Sequence, residues 1–285
     1  NQSEQGYRYL NKFNSNILIY TKKKIKLTQG FIWVSLKQLS KLIKVKNLLN
    51  MDTISVISCN INLNKVDHPI NTNKFISNWF LIKNKFFFLK SKIVPLNKLK
   101  DWKYTNQIIS HKAKKHFSVI GVNVETNKRE VTSWCQPILK GKKLAIAGFI
   151  LKEFNNTTHY LCRYIVKPGL KDSVLTCTAN TSDIKNYKKN SNLSNFQKKI
   201  FNDYFLNSSL KKFKLFDNIM SDEGGRFYHC EIRNLVLLLN VNFSLKLPSD
   251  YIWISQNQMI NFIKKKKIDI EARLLFGCLN IKNLK

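Results

Sequence analysis

The sequence predicts an α/β (α+β) fold, with mixed β-sheet flanked by helices, arranged as tandem modules of which the first is truncated. Three observations carry that expectation. Ser3-Glu-Gln-Gly-Tyr-Arg-Tyr-Leu-Asn11 returns 218 residues later as Ser221-Asp-Glu-Gly-Gly-Arg-Phe-Tyr-His229. Phe31–Gln38 returns as Tyr251–Gln258, and Met51–Cys59 as Ile270–Cys278, at almost the same offset. Residues 117–179 read as consecutive strands, with helical patterns before and after them. A period near 220 residues is too long for a solenoid and reads as duplicated domains. The chain opens with Asn and enters its first copy part-way, so the expectation is a fragment holding half of one module and all of the next.

The elements follow in chain order. Ser35-x-x-Gln38 is a capping-box signature, with Leu39, Leu42 and Ile43 as the apolar stripe behind it. Residues 74–89 have a helical pattern around Trp79, and Val94-Pro-Leu96 to Trp102 reads as an extended entry to the second module. Residues 117–126, 130–137, 144–154, 159–166 and 174–179 alternate or are β-branched, and read as strands. Residues 182–200 are rich in Asn, Lys and Ser and read as a loop or poorly ordered insertion, running into a helix at 196–205. A strand is expected over 226–242, after which Pro248 and Asp250 break the pattern. Ser255-x-x-Gln258 repeats the capping box, with Met259, Phe262 and Ile263 on one face. Asp269 caps a last helix reaching Asn280, which puts Glu271, Leu275 and Cys278 on one face. An inward carboxylate of that kind requires a partner.

Composition narrows the function classes. Apolar residues make up 44% of the 285, enough for packed cores. No apolar run approaches the ~20 residues of a membrane helix and no signal peptide is visible, so a cytoplasmic protein with no membrane partner is expected. The six cysteines (59, 135, 162, 177, 230 and 278) show no C-x-x-C pair and read as mostly buried free thiols. A net charge of +32 would by itself suggest nucleic acid. Lysine, asparagine and isoleucine are abundant everywhere, however, and only six of the 49 basic residues are arginine, which is the mark of an AT-biased genome. The lysines are scattered apart from Lys22–Lys24 and Lys264–Lys267, so nucleic acid is not an expected partner.

The arginines say more. Arg8, Arg226, Arg233 and Arg273 lie in or beside the repeated segments, where a rigid forked cation suits phosphate, carboxylate or a structural ion pair. In Asp222-Glu-Gly-Gly-Arg226 two acids meet a glycine pair that lets the backbone approach a ligand closely. A strand running on from Arg226 would place His229, Glu231 and Arg233 on one face, either as a site or as a solvated surface. The five histidines show no ligand spacing, and neither a phosphate-binding glycine loop nor a G-x-S-x-G elbow occurs. No metal and no cofactor are expected.

On these residues the second module resembles the NDP-hexose 2,3-dehydratases. The matching elements include Phe117-Ser-Val-Ile-Gly-Val122, Arg129-Glu-Val-Thr-Ser-Trp-Cys-Gln-Pro137, Gly148-Phe149, Lys167-Pro-Gly169, Asn186-Tyr187, Glu223-Gly-Gly-Arg-Phe-Tyr-His229, Tyr251-x-Trp253 and Glu271-Ala-Arg273. The resemblance implies Nudix-like modules, a homodimer, and elimination of water from a nucleotide-linked 4-keto-6-deoxyhexose, typically the dTDP-glucose derivative, to a 3,4-diketo-2,6-dideoxy sugar. No Nudix glutamate box is present, so pyrophosphate cleavage is not expected. It divides the chain into residues 1–61 (end of a degenerate first module), 62–103 (joining segment) and 104–285 (complete module). Catalytic roles are expected at Glu223, His229 and Tyr228, with base and acid unassigned between Glu223 and His229. Substrate binding is expected at Trp134, Gln136, Tyr187, Arg226, Glu231, Arg233, Glu271 and Arg273. The first copy has Tyr7, Asn11 and Ile54 where the second has Gly225, His229 and Arg273, so its pocket is expected to be inactive. Thr178-Ala-Asn-Thr181 departs from the family's Pro-Thr-Val-Gln-like stretch. The competing readings are a non-catalytic sugar-nucleotide binder and a basic nucleic-acid-binding protein.

Overall fold

The computed structural model describes residues 1–63, 66–114, 116–127, 129–141, 144–181, 193–240 and 244–284. Tyr187 and the expected loop as far as residue 192 lie outside them. The strands are β1 (Gln2–Ser3), β2 (Phe13–Asn14), β3 (Trp102–Tyr104), β4 (Ile108–His111), β5 (Ser118–Glu125), β6 (Ser133–Lys140), β7 (Ala145–Phe154), β8 (Thr157–Ile165), β9 (Val174–Thr176), β10 (Ala179–Thr181), β11 (Lys214–Ser221), β12 (Glu231–Leu239) and β13 (Tyr251–Ser255). The α-helices are α1 (Leu36–Leu42), α2 (Met51–Ser58), α3 (Asn73–Phe86), α4 (Asn195–Lys199), α5 (Gln256–Lys264) and α6 (Ile270–Asn280).

A seven-stranded sheet runs β11-β12-β7-β8-β13, with β10 beside β7 and β9 beside β8. It is mixed, because β12 and β7 are parallel while its other pairs are antiparallel. Strands β3 to β6 form a separate antiparallel sheet. One apolar core draws on the large sheet and α2, α3, α5 and α6, through residues such as Ile54, Ile76, Phe149, Tyr160, Met259 and Leu275. A second gathers Ile146, Ile150, Leu235 and Leu237 with Phe201 and Phe205, in the π-helical turns after α4. Gly148 makes room there, since a Cβ on it would lie 2.0 Å from the Phe205 ring. Ser35 and Ser255 both form complete capping boxes, and Asp269 accepts from the Ala272 amide, as the sequence predicts.

Two expectations need correction, and the repeat is unequal at a third place. The strand read over 226–242 begins only at Glu231, because residues 223–228 turn and His229 takes a left-handed φ of 48°. The alternation argument therefore fails at His229. The strand read over 174–179 is broken between Thr176 and Ala179, its halves pairing with different neighbours. Residues 31–34 align with β13 but form no strand, and Ile32 is 80% exposed. β13 is held by β8, and nothing comparable flanks residues 31–34 among the described residues.

The repeated turns share one local form. Glu4 N–H donates to Lys12 O, and Asp222 N–H to Cys230 O. Arg8 and Tyr9 donate to Gln5 O, while Arg226 and Phe227 donate to Glu223 O. Asn11 and His229 have φ of 49° and 48°, a region where Asn and His are enriched among non-glycine residues. The first turn clasps the loop after β8: Gly169 N–H donates to Gly6 O at 2.7 Å and accepts at its carbonyl from Asn11 N–H at 2.6 Å. A Cβ on Gly169 would lie 1.8 Å from Tyr9 O. Gly169→Ala should therefore lower stability by about 1–3 kcal/mol in chemical denaturation, as overpacking does.

Candidate active site

A cleft of about 800 Å³ opens where the first turn, both sheets and α6 meet. That is within the range of about 300–1,000 Å³ usual for small-molecule sites. Gln5, Tyr7 and Arg8 come from the first turn, Trp102 and Phe117 from the small sheet and its approach, and Arg163 and Thr176 from the large sheet. Asp222, Phe227 and Glu231 come from the second turn and its flanks, and Glu271 from α6.

Among the described residues, four acids line the cleft, Asp222, Glu231, Asp250 and Glu271, and two of them, Asp222 and Glu271, sit in contrasting surroundings. Asp222 is 9% exposed, and its Oδ1 accepts from Gln5 Nε2 at 3.0 Å and from the Glu223 amide at 2.9 Å. Burial pushes its carboxyl up to about 6, and the nearby Glu271 charge adds to the rise. Glu271 sits in the first turn of α6, 3.1 Å from Lys167 Nζ. Burial pushes Glu271 up as well, but the Lys167 ammonium and the hydrogen bonds from its own amide and from Lys167 outweigh burial. The carboxyl is held below its ordinary value. Lys167 also meets Asp269 at 2.9 Å, and both of those side chains are fully buried.

Positive charge in the cleft comes from arginine. Arg163 is paired with Asp250 at 3.1 Å. Arg8 lies 4.5 Å above the Phe117 ring and has no carboxylate within ion-pair distance among the described residues. Of the two arginines that line the cleft among the described residues, Arg8 is the one without an ion pair, which leaves its guanidinium open to an anionic ligand. Trp102, His116 and Phe117 form an aromatic wall beside it, with the Trp102 and His116 rings near-parallel at 6.2 Å.

Of the residues singled out from the sequence, Glu231 and Glu271 line this cleft. His229 is exposed and Tyr228 is 37% exposed, and neither lines it. Glu223 pairs with Arg226 at 3.0 Å, and Arg226 continues to Glu4 at 3.8 Å and over the Tyr9 ring. Trp134 Nε1 donates to Gln136 Oε1 at 2.7 Å, and Gln136 Nε2 donates to Gly225 O at 2.8 Å, so the pair braces the second turn. Arg233 grips Asp217 through two hydrogen bonds, at 2.7 and 2.6 Å. Arg273, 1% exposed, donates to Ile268 O at 2.8 Å and Ser3 O at 2.9 Å, anchoring the first turn. Glu231 also accepts from Asn47 and meets Lys46 at 3.3 Å. Among the described residues, no cluster of His, Cys, Asp and Glu could hold a metal ion, and no helix is long and apolar enough to cross a membrane.

A family model described as NDP-hexose 2,3-dehydratase matches residues 1–60 and 73–279. The chain belongs to that family. It is similar to proteins named dTDP-4-dehydro-6-deoxy-alpha-D-glucopyranose 2,3-dehydratase. One, from Streptomyces violaceoruber, is 30% identical over 98% of this chain and 64% of its own length. Another, from Saccharopolyspora spinosa, is 26% identical over 98% of this chain and 61% of its own. The chain thus spans somewhat under two thirds of these family members. A solved structure titled "Crystal structure of ADP compounds hydrolase" aligns at a TM-score of 0.32 and 12% identity, over 62% of this chain and 93% of that one. A likeness that small carries no argument here.

Sequence reasoning missed Lys167, Gln5 and Tyr7 as site residues, and it singled out Arg8 and Asp222 without giving either a site role; all but Lys167 stand in the repeated segments, and Lys167 opens Lys167-Pro-Gly169. The Asp222 environment makes a testable prediction. Its folded value is raised, so its contribution to stability is fully present below the ordinary value of 3.8 and is lost as pH rises through about 6. Relative to Asp222→Asn, the wild type should lose about 3 kcal/mol between pH 3.5 and pH 7 in denaturant titrations.

Proposed function

We propose that this cleft binds a nucleotide-linked 4-keto-6-deoxyhexose and eliminates water across C2 and C3. The observation that carries the reading is the pair of carboxyls facing one cleft, Asp222 held towards its protonated form and Glu271 towards its ionised form. Pairs whose surroundings push them apart in this way divide into acid and base. Family membership supplies the reaction class. The relatives' names support dTDP-4-keto-6-deoxyglucose as the substrate.

The C4 ketone acidifies the C3–H bond, so the Glu271 carboxylate takes that proton and its electron pair moves into the enolate. The C2–O bond then breaks, Asp222 protonates the departing hydroxyl, and water leaves. The resulting enol loses its O3 proton to the Asp222 carboxylate while C2 gains the proton held on Glu271. Both side chains regain their starting states, and the product is the 3,4-diketo-2,6-dideoxy sugar. Arg8 neutralises the diphosphate, and the Trp102–Phe117 wall takes the base. Nudix-like tandem modules, with residues 1–61 and 104–285 as the related units and 62–103 joining them, belong to the same proposal. So does a homodimer.

Mass spectrometry of the protein incubated with dTDP-4-keto-6-deoxyglucose tests this reading. Loss of one water is expected, and an unchanged substrate would refute it. Asp222→Asn and Glu271→Gln should each lower kcat by about 10²–10⁴-fold while dTDP binding persists. His229→Ala should retain turnover.

A further inference from the structure

Resting on that reading, we propose that Lys167 is a positioning residue: shared between Asp269 and Glu271, it holds Glu271 as the ionised base at the start of each turnover and remains neutralised by Asp269 while Glu271 carries the proton. Lysine is almost never fully buried unless paired. One carboxylate would satisfy a purely structural lysine, yet Lys167 Nζ lies 2.9 Å from Asp269 Oδ2 and 3.1 Å from Glu271 Oε2. The two carboxylates differ in what else they do. Asp269 is fully buried and fixed by the helix, its Oδ1 accepting from the Ala272 amide at 3.0 Å as the N-cap of α6. Glu271 opens onto the cleft.

The ammonium is itself fixed in place. It follows β8 in the loop that the first turn clasps at Gly169, and the Tyr7 ring lies 5.3 Å from it. The arrangement matters most once Glu271 takes up a proton. A lysine with a single partner would then be left as an unneutralised buried charge, which is strongly unfavourable. Asp269 keeps it paired. Proton uptake by Glu271 therefore leaves the buried network intact, and the carboxyl can return the proton.

The groups facing Glu271 are distributed over several elements. Lys167 comes from the loop after β8 and Asp269 from the cap of its own helix. Asp222 follows β11, Tyr7 and Arg8 belong to the first turn, Cys177 follows β9, and Arg273 lies one position beyond Ala272 on α6. Of these, Lys167 is the cation in ion-pair contact. Its loss leaves burial and the neighbouring acids to govern Glu271.

The test is the pH dependence of kcat/KM for the full chain on dTDP-4-keto-6-deoxyglucose, for wild type, Lys167→Met and Asp269→Asn. Lys167→Met should move the acid limb upward by about one pH unit or more, with dTDP affinity unchanged. Asp269→Asn keeps a competent cap and leaves Lys167 to Glu271 alone, so its acid limb should move downward. A merely structural lysine would lower rate or stability without moving the limbs in opposite directions, and that result overturns the proposal. If Lys167→Met does not fold, Asp269→Asn decides alone: an unmoved or raised limb overturns it. Infrared titration of the carboxyl band absent in Glu271→Gln gives a readout independent of turnover. Wild type without turnover but with the expected carboxyl shifts in the variants would sink the dehydratase reading and leave the Lys167 linkage standing. Turnover with an unmoved carboxyl band would do the reverse.

Discussion

An ammonium ion taken fully out of water has to be neutralised where it lies, and Lys167 organises its surroundings accordingly. It joins the loop after β8 to the N-terminus of α6 through Asp269 and Glu271. Two residues further on, Gly169 exchanges backbone hydrogen bonds with the first turn. One short loop thus ties the large sheet, the last helix and the start of the chain together around the cleft. Removing one partner from a buried pair costs about 3–5 kcal/mol, so this junction is both a structural and an electrostatic constraint.

The two copies of the repeated turn meet at the same place with different duties. The backbone bonds within each turn match, but the first turn grips Gly169 and the second Leu139, and the first contributes Gln5, Tyr7 and Arg8 to the cleft while Asp222 comes from the second. Gln5 reaches across to Asp222, and Arg226 reaches back towards Glu4. The helices of the repeat also pack on each other, with Gly277 of α6 close against Ile54 of α2. The cleft geometry is therefore a joint product of both copies, rather than a property of the second alone. A smaller cavity of about 200 Å³ on the first copy's side carries its own acids, Glu4 and Asp52, beside Arg273.

The repeat, the capped helices and most strands were legible because capping boxes and β-branched alternation are local signals. The inward, paired Glu271 was legible from helix geometry. The turn at 223–229 was not: alternating polar and aromatic residues imitate a half-exposed strand, and only the left-handed backbone at His229 ends the imitation. Asn11 and His229 are both tolerated there for backbone reasons, which residue type alone does not separate from a chemical role. Arg233 and Arg273 were legible as residues needing a forked donor, but their acceptors, Asp217 for one and the Ile268 and Ser3 carbonyls for the other, depend on tertiary structure. Lys167 stood out only as the start of Lys167-Pro-Gly169, and its burial between Asp269 and Glu271 depends on tertiary structure.

On the proposed reading, ligand binds between the two turns, with its anionic part at Arg8 and its sugar towards Asp222 and Glu271. The most direct measurement is a crystal structure of the protein with dTDP or an unreactive dTDP-hexose bound. The diphosphate is expected on the Arg8 guanidinium, the base against Trp102 or Phe117, and the hexose within hydrogen-bond reach of both carboxyls. A nucleotide bound instead on the outer face of the second turn, against Tyr228 and His229, would contradict it.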